Sequence, residues 1–154
     1  MSAQLDTLPR FRRMQHGDLD AVERIERGAY THPWTRGNFA DSLEAGYHCW
    51  IMECGGVLVG YSVVMVAAGE AHLLNLSIAA EWQRRGLGAA LLRFVIKLAG
   101  DYGADMIYLE VRASNAAGRA LYAKDGFSEI GLRRDYYPAA GGREDAVTMG
   151  KKLR

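Results

Sequence analysis

The chain has 154 residues, 49% of them hydrophobic, and 19 Lys and Arg against 18 Asp and Glu give a formal net charge of +1. This length suits one domain, residues 1–154, whose core needs neither a metal nor a disulfide for stability. A net charge so near zero argues against a basic surface for nucleic acid or an anionic membrane, so neither is expected as a partner.

The positions of the cysteines and histidines bear on the cellular compartment and on metal binding. The two cysteines, Cys49 and Cys54, lie in one predicted strand, which favours reduced thiols and a cytoplasmic protein. No basic and apolar leader is expected at the N-terminus, and no apolar run approaches membrane-spanning length. The four histidines lack the spacing of metal ligands, so no metal is expected. His72 alternates with apolar neighbours and is interpreted as a half-exposed strand residue rather than a base.

Hydrophobic periodicity predicts a strand, two helices and then three strands in the first half of the chain. Asp18 is expected to cap the first helix and Thr35 the second. Gly55-Gly56 predicts a two-residue hairpin between the second and third strands. The predicted segments are strand 11–14, helices 19–29 and 35–43, and strands 48–54, 57–67 and 73–78.

The second half begins with a helix that carries a single apolar stripe, which indicates packing on a sheet. The predicted segments are helix 87–100, strand 106–111, helix 115–124, and strands 127–136 and 145–151. The whole order, β-α-α-β-β-β-α-β-α-β-β, predicts an α/β fold with a mixed central sheet and helices on both faces.

The most informative motif lies between strand 73–78 and helix 87–100. Glycines at a strand-to-helix turn allow close approach of a ligand, and the unpaired N–H groups of the first helical turn attract phosphate. Leu91 stands where the dinucleotide fingerprint has its third glycine, and a P-loop would require Gly-Lys-Ser/Thr. The motif therefore predicts an anionic, phosphorylated ligand, although a simple helix cap also fits. Its residues are Gln83, Arg84, Arg85, Gly86, Leu87 and Gly88.

This motif resembles the Q/R-x-x-G-x-G/A pyrophosphate loop of the GNAT acyl-CoA N-acetyltransferases, and the order of elements is similar too. From about Leu8 to the C-terminus the chain resembles bacterial ribosomal-protein-alanine N-acetyltransferases. The segments that carry this resemblance are Pro33-Trp34, 109–117, 120–122, 126–127, 133–138 and 142–146. The resemblance implies a GNAT fold, acetyl-CoA as co-substrate, and acetyl transfer to the N-terminal alanine of a small-subunit ribosomal protein.

The resemblance also implies which residues hold the cofactor. The glycine loop would bind the diphosphate, and a strand edge would pair with the pantetheine amides. Asn115 is implied as a cofactor contact, but it fits equally well as the cap of its own helix. The expected cofactor-binding residues are Leu76, Ser77, Ile78, Arg84, Arg85, Gly86, Leu87, Gly88, Ala89 and Asn115.

Glu110 and Tyr122 are the expected catalytic residues. Glu110 follows apolar residues in strand 106–111, where a carboxylate is either paired or used chemically, although an outward-facing strand charge fits the pattern as well. The resemblance implies that Glu110 is the general base and Tyr122 the general acid, in a direct attack of the amine on the thioester. The alternative for Tyr122 is a core aromatic at helical spacing. An N-terminal ammonium has a pKa of about 7.7–8.0, well below that of lysine, so an α-amine suits a carboxylate base.

The expected substrate-binding residues are Tyr136, Tyr137, Glu144 and Asp145, in a loop between the last two strands. Two aromatics and two acids there would hold a basic peptide N-terminus, whereas the alternative is an ordinary hairpin loop. Two other functions stay open: a GNAT enzyme acting on a small amine or a lysine side chain, and a non-catalytic acyl-CoA-binding sensor. The oligomeric state is left open, with a monomer compatible with the sequence.

Overall fold

The computed structural model describes residues 8–154, and within that range it contains seven strands and four α-helices. The strands are β1 (Pro9–Arg13), β2 (His48–Cys54), β3 (Val57–Ala67), β4 (Glu70–Ile78), β5 (Met106–Arg112), β6 (Ser128–Ala139) and β7 (Gly142–Lys152). The helices are α1 (Leu19–Ala29), α2 (Arg36–Glu44), α3 (Leu87–Asp101) and α4 (Ala116–Lys124). Residues 1–7, where no leader was expected, lie outside the described part.

The strands are ordered β1-β2-β3-β4-β5-β7-β6 in one sheet. β4 is parallel to β5, whereas the pairs β1-β2, β2-β3, β5-β7 and β6-β7 are antiparallel, so the predicted mixed sheet is confirmed. Contacts divide the described chain into two compact units, one of residues 8–64 and 75–95 and the other of residues 65–74 and 96–154. The organisation as a single domain stays a prediction.

Local signals set the elements of the first unit. Gly55 and Gly56 have φ of 57° and 77°, the left-handed pair that a type I′ hairpin requires, so the predicted hairpin is confirmed. The Thr35 hydroxyl accepts from the N–H of Asn38 at 3.1 Å, as expected of a cap. The prediction that the Asp18 side chain caps the first helix is wrong.

Asp18 precedes α1, but its carboxylate makes no capping bond to the helix. It accepts instead from the guanidinium of Arg12 at 2.8 Å and from the N–H of Gln15 at 2.8 Å. The short 3₁₀ turn His16–Asp18 leads directly into α1, and this geometry directs the carboxylate back towards β1. The ion pair with Arg12 lowers the pKa of Asp18 below its ordinary value.

The core of the first unit includes the start of α3, packed on strand residues. Its buried members are Met52, Cys54, Val59, Ile78, Leu87 and Leu91. The predicted apolar stripe of α3 is confirmed, since Leu87, Leu91, Val95 and Leu98 are each at most 9% exposed. Cys49 and Cys54 are buried free thiols, and burial raises the pKa of Cys49 to about 11. A thiol of that kind is a poor nucleophile near neutral pH.

In the second unit the strands are longer than predicted. β4 begins at Glu70 because Ala68 and Gly69 have φ of 52° and 79° and form a tight turn. β6 and β7 pair up to Ala139 opposite Gly142, so the expected long loop between them is wrong. A turn of Ala140 and Gly141 replaces it. Glycine at 141, with φ of 74°, lets the chain reverse in so few residues.

Candidate active site

The glycine loop ends at α3 in a geometry that suits an anion. Gly86 has φ of 78°, and a Cβ placed there would meet nothing within 4 Å, so the space beside its backbone is open. The N–H of Ala90 donates to the Gly86 carbonyl at 3.2 Å as the helix begins. The N–H groups of Leu87, Gly88 and Ala89 therefore precede that intrahelical hydrogen bond, and such groups bind phosphate oxygens. These residues fit a coenzyme diphosphate.

Side chains of the loop itself hold this conformation. Gln83 donates from Nε2 to the carbonyl of Ile78 at 3.0 Å, which ties the loop to the end of β4. The Arg85 guanidinium lies 4.7 Å from the Trp82 ring centroid and donates to the Glu81 carbonyl at 3.3 Å. Arg84 takes φ of 63°, an uncommon value for a residue with a side chain. The loop is therefore shaped by its own contacts.

The predicted pantetheine segment, residues 76–78, is packed against β3. Ser77 is buried, and its hydroxyl donates to Asn75 Oδ1 at 2.6 Å and lies 2.7 Å from the Tyr30 hydroxyl. A Cβ on Gly60 would lie 2.8 Å from the Ser77 carbonyl oxygen and 2.7 Å from Ile78 Cδ1. Only glycine fits at position 60 without displacing this segment.

A buried carboxylate belongs to the same unit and was missed by the sequence reasoning. Glu26 is 2% exposed. Its Oε1 accepts from the Tyr61 hydroxyl at 2.7 Å and from Asn75 Nδ2 at 3.2 Å, and its Oε2 accepts from the N–H of Trp34 at 2.9 Å. Burial, followed by the charge of Glu26, raises the pKa of Tyr61. The missed signal was local, because Leu19 and Glu26 share one face of α1.

Glu110 lies on β5 in the second unit, with its side chain 9% exposed. The interpretation of Glu110 as an outward-facing charge is therefore wrong. Its Oε1 is 2.7 Å from Nε2 of His72 on β4, and its Oε2 is 3.9 Å from Nε of Arg133. His72 is half-buried, as predicted, but it contacts the carboxylate that was expected to be the base.

Asn115 and Tyr122 both belong to α4. The Asn115 side-chain oxygen accepts from the N–H of Gly118 at 2.9 Å, so its capping role is confirmed. The half-buried Tyr122 ring packs edge-on against Phe127, with centroids 5.7 Å apart. The cofactor contact of Asn115 and the catalytic role of Tyr122 stay predictions.

The predicted peptide-binding residues lie on β6 and β7 around one arginine. Arg112 donates to Glu144 Oε1 at 3.2 Å, and its guanidinium lies 4.6 Å from the Tyr137 ring centroid. The Tyr136 ring is 4.9 Å from that of Tyr137. Burial raises the pKa of Tyr137 to about 12. Hydrogen bonds from Ser114 lower the pKa of Glu144.

Asp145 is also engaged within the chain. Its Oδ1 accepts from the N–H of Asp135 at 2.9 Å, and its carbonyl accepts from the N–H of Ala113 at 3.1 Å. Asp135 has φ of 52° and lies where the β6-β7 register shifts between Arg133 and Tyr137. Asp145 therefore stabilises an irregular stretch of β6.

The chain belongs to the acetyltransferase (GNAT) family, whose model matches residues 19–127. It is 40% identical over 132 residues to the [ribosomal protein bS18]-alanine N-acetyltransferase of Escherichia coli strain K12, covering 86% of this chain and 89% of that protein. A relative of the same name from Haemophilus influenzae is 35% identical over 133 residues, covering 86% and 90%. The crystal structure of the ribosomal-protein-S18-alanine N-acetyltransferase from Escherichia coli superposes with a TM-score of 0.89 at 36% identity, covering 95% of this chain and 94% of that one.

The family assignment confirms the expected fold and makes the chain an acetyl-CoA-dependent N-acetyltransferase. The open helix start at residues 86–89 is compatible with that co-substrate. Across residues 8–154, no helix combines the length and apolarity needed to cross a membrane. Over the same range, no three His, Cys, Asp or Glu side chains are grouped as ligands for a metal ion.

Proposed function

We propose that this chain acetylates the α-amine of an N-terminal alanine in a small-subunit ribosomal protein. The observation that carries the proposal is the 40% identity, over most of both chains, to the Escherichia coli enzyme whose name states that acceptor. The Haemophilus influenzae relative bears the same name at 35% identity. A shared acceptor is therefore the simplest account of a similarity that extends over most of each chain.

Acetyl-CoA supplies an activated thioester when it is bound. The chain's own task is to hold the diphosphate and the pantetheine arm, for which the N–H groups of residues 86–89 and the backbone of residues 76–78 are suited. Gln83 supports this task by joining the two segments through its bond to Ile78. Asn115 is proposed to contact the cofactor with the part of its side chain that capping does not use.

Proton transfer falls to Glu110 and Tyr122. An N-terminal ammonium must lose a proton before its nitrogen can attack a carbonyl, and a carboxylate accepts that proton directly or through one water. Glu110 suits this role because it is a mostly buried carboxylate whose Oε2 lies 3.9 Å from its arginine neighbour, beyond hydrogen-bond distance. Tyr122 is proposed to protonate the departing thiolate with its phenol. No cysteine is needed, since Cys49 and Cys54 are buried.

The peptide is proposed to bind at the β6-β7 hairpin. Tyr136 and Tyr137 offer aromatic surface, and Glu144 and Asp145 give this region negative charge. Glu144 is ion-paired with Arg112 and Asp145 accepts from the N–H of Asp135, so both acids would contribute as parts of a preformed site rather than through flexible ion pairs.

The proposal is tested with three synthetic peptides of one sequence that contains an internal lysine. The first has a free N-terminal alanine, the second has that α-amine blocked, and the third begins with glutamate. Incubation with acetyl-CoA, followed by tandem mass spectrometry, should place the acetyl group on the α-amine of the first peptide alone. Acetylation of lysine in the blocked peptide alone would overturn the proposal in favour of a lysine acetyltransferase.

Two other outcomes decide between the remaining alternatives. Turnover of small amines with no peptide acetylated would identify a small-molecule enzyme. Saturable acetyl-CoA binding by calorimetry, with no acceptor acetylated, would identify a sensor. A cytoplasmic location is part of the proposal and is supported by the two free cysteines, and no direct contact with nucleic acid or membrane is proposed.

A further inference from the structure

We propose that His72 is a positioning residue for Glu110, donating from Nε2 to Oε1 so that Oε2 is held ready to accept the proton of the amine. This inference rests on the proposed function, because it assumes that Glu110 is the base. The two atoms are 2.7 Å apart, a distance typical of a hydrogen bond to a charged oxygen.

The strand register explains why these two side chains meet. His72 on β4 is aligned with Tyr108 on the parallel strand β5. Glu110 is two residues beyond Tyr108, and residues two apart on a strand point to the same face. His72 and Glu110 are therefore diagonal neighbours on one face of paired strands. Glu110 is aligned with Thr148 on β7, and Leu109 before it is aligned with Leu73 on β4, so strand pairing holds the backbone at this position.

Because Glu110 is mostly buried, its carboxylate depends on the hydrogen bond to His72. A carboxylate that is 9% exposed is costly without a partner, and His72 is the partner within hydrogen-bond distance. Arg133 lies 3.9 Å from Oε2 with a side chain that is 56% exposed, so its attraction is largely screened by solvent. His72 therefore sets the orientation of the carboxylate, while Arg133 adds a weak field on the side of Oε2.

The chemistry of the two groups determines which of them donates this hydrogen bond. Glu110 as a carboxylate only accepts, so Nε2 of His72 carries the hydrogen of this bond. In the reaction the amine proton passes to Oε2, directly or through water, and the Nε2–H bond to Oε1 stays in place. No further oxidant or co-reactant enters. Arg133 and Tyr137 are charged or titratable groups that interact with Glu110, and Tyr137 in turn interacts with Arg112 and Glu144.

The test is a double-mutant cycle on the full chain with any acceptor that the wild type acetylates. His72→Leu should lower kcat by about tenfold to 100-fold, because a misplaced base loses alignment, with KM for the acceptor unchanged. His72→Gln places an amide donor at similar reach and should recover most of the loss. His72→Ala is measured as well, so that a leucine variant that fails to fold does not decide the outcome. His48→Leu, at the half-buried histidine of β2, is the matched control and should leave kcat unchanged.

Coupling to Glu110 separates the inference from the function on which it rests. In a Glu110→Gln background, His72→Leu should have little further effect, because it acts through the carboxylate that is already absent. A loss that multiplies fully in that background, or a His72→Gln variant no better than His72→Leu, would overturn the positioning role. Wild-type kcat in Glu110→Gln alone would instead overturn the assignment of the base, and the proposal for His72 with it.

Discussion

Glu26 and Glu110 are both mostly buried carboxylates on regular secondary structure, but their hydrogen bonds differ. Glu26 accepts three hydrogen bonds from neutral donors, which occupy both of its oxygens. Glu110 bonds through Oε1 to His72, whereas the Arg133 nitrogen nearest its Oε2 is 3.9 Å away. A carboxylate with fixed donors on both oxygens gives up hydrogen bonds when it takes a proton. Occupancy of each oxygen, rather than burial alone, therefore distinguishes the structural role of Glu26 from the catalytic role proposed for Glu110.

Replacing Glu110 tests the catalytic side of this comparison and has the largest expected effect. Glu110→Gln keeps the shape of the side chain but removes the proposed base, so kcat should fall by about 10²–10⁴-fold, the range of general base catalysis. Thermal unfolding followed by circular dichroism should be close to that of the wild type. A variant that loses several degrees of Tm together with its activity would place Glu110 in the structural class with Glu26.

Replacing Glu26 tests the structural side. Glu26→Ala leaves the buried Tyr61 hydroxyl, the half-buried Asn75 amide and the half-buried Trp34 N–H without this acceptor, and an unsatisfied group costs about 1–3 kcal/mol where it is buried. The free energy of unfolding should fall by about 3 kcal/mol or more, as measured by urea denaturation. Glu44→Ala, at an exposed position of α2, is the matched control and should change it by less than about 0.5 kcal/mol. A stable Glu26→Ala protein with a lowered kcat would contradict the comparison.

A smaller change tests one of the hydrogen bonds to Glu26 by itself. Tyr61→Phe removes one of the two donors to Glu26 Oε1 and leaves the ring in place. The expected loss is about 1.5–3 kcal/mol, the range for a hydrogen bond to a charged group. In the Glu26→Ala background the same substitution should cost less, because the acceptor is already gone. Equal losses in both backgrounds would mean that the hydroxyl stabilises the fold without Glu26.

Local signals could be predicted from the sequence because they involve neighbouring residues. Thr35 and Asn115 cap their helices as predicted, and Gly55-Gly56 forms the predicted turn. The burial of Glu26 could also have been predicted, since its spacing from Leu19 and Val22 places it on the buried face of α1.

The contact between His72 and Glu110 was not predictable in the same way. It depends on the parallel register of β4 and β5, two strands separated by a whole helix, and a shift of one residue would turn His72 to the other face. The long β6-β7 hairpin was missed for a related reason. Its pairing continues past Tyr137 through contacts between strands that composition does not specify.

Asn115 combines a structural contact with a proposed functional one, and its replacement has the smallest expected effect. Its oxygen is used by the Gly118 N–H, but the residue is exposed and is proposed to contact the cofactor as well. Asn115→Ala should cost about 1 kcal/mol of stability through loss of the cap, whereas Asn115→Ser keeps a capping oxygen and should cost less. If the side chain also contacts the cofactor, both variants should raise KM for acetyl-CoA to a similar extent, because serine is too short to make the same contact. An Asn115→Ser variant with wild-type stability and wild-type KM would restrict Asn115 to its structural role, and it would then belong with Glu26 rather than Glu110.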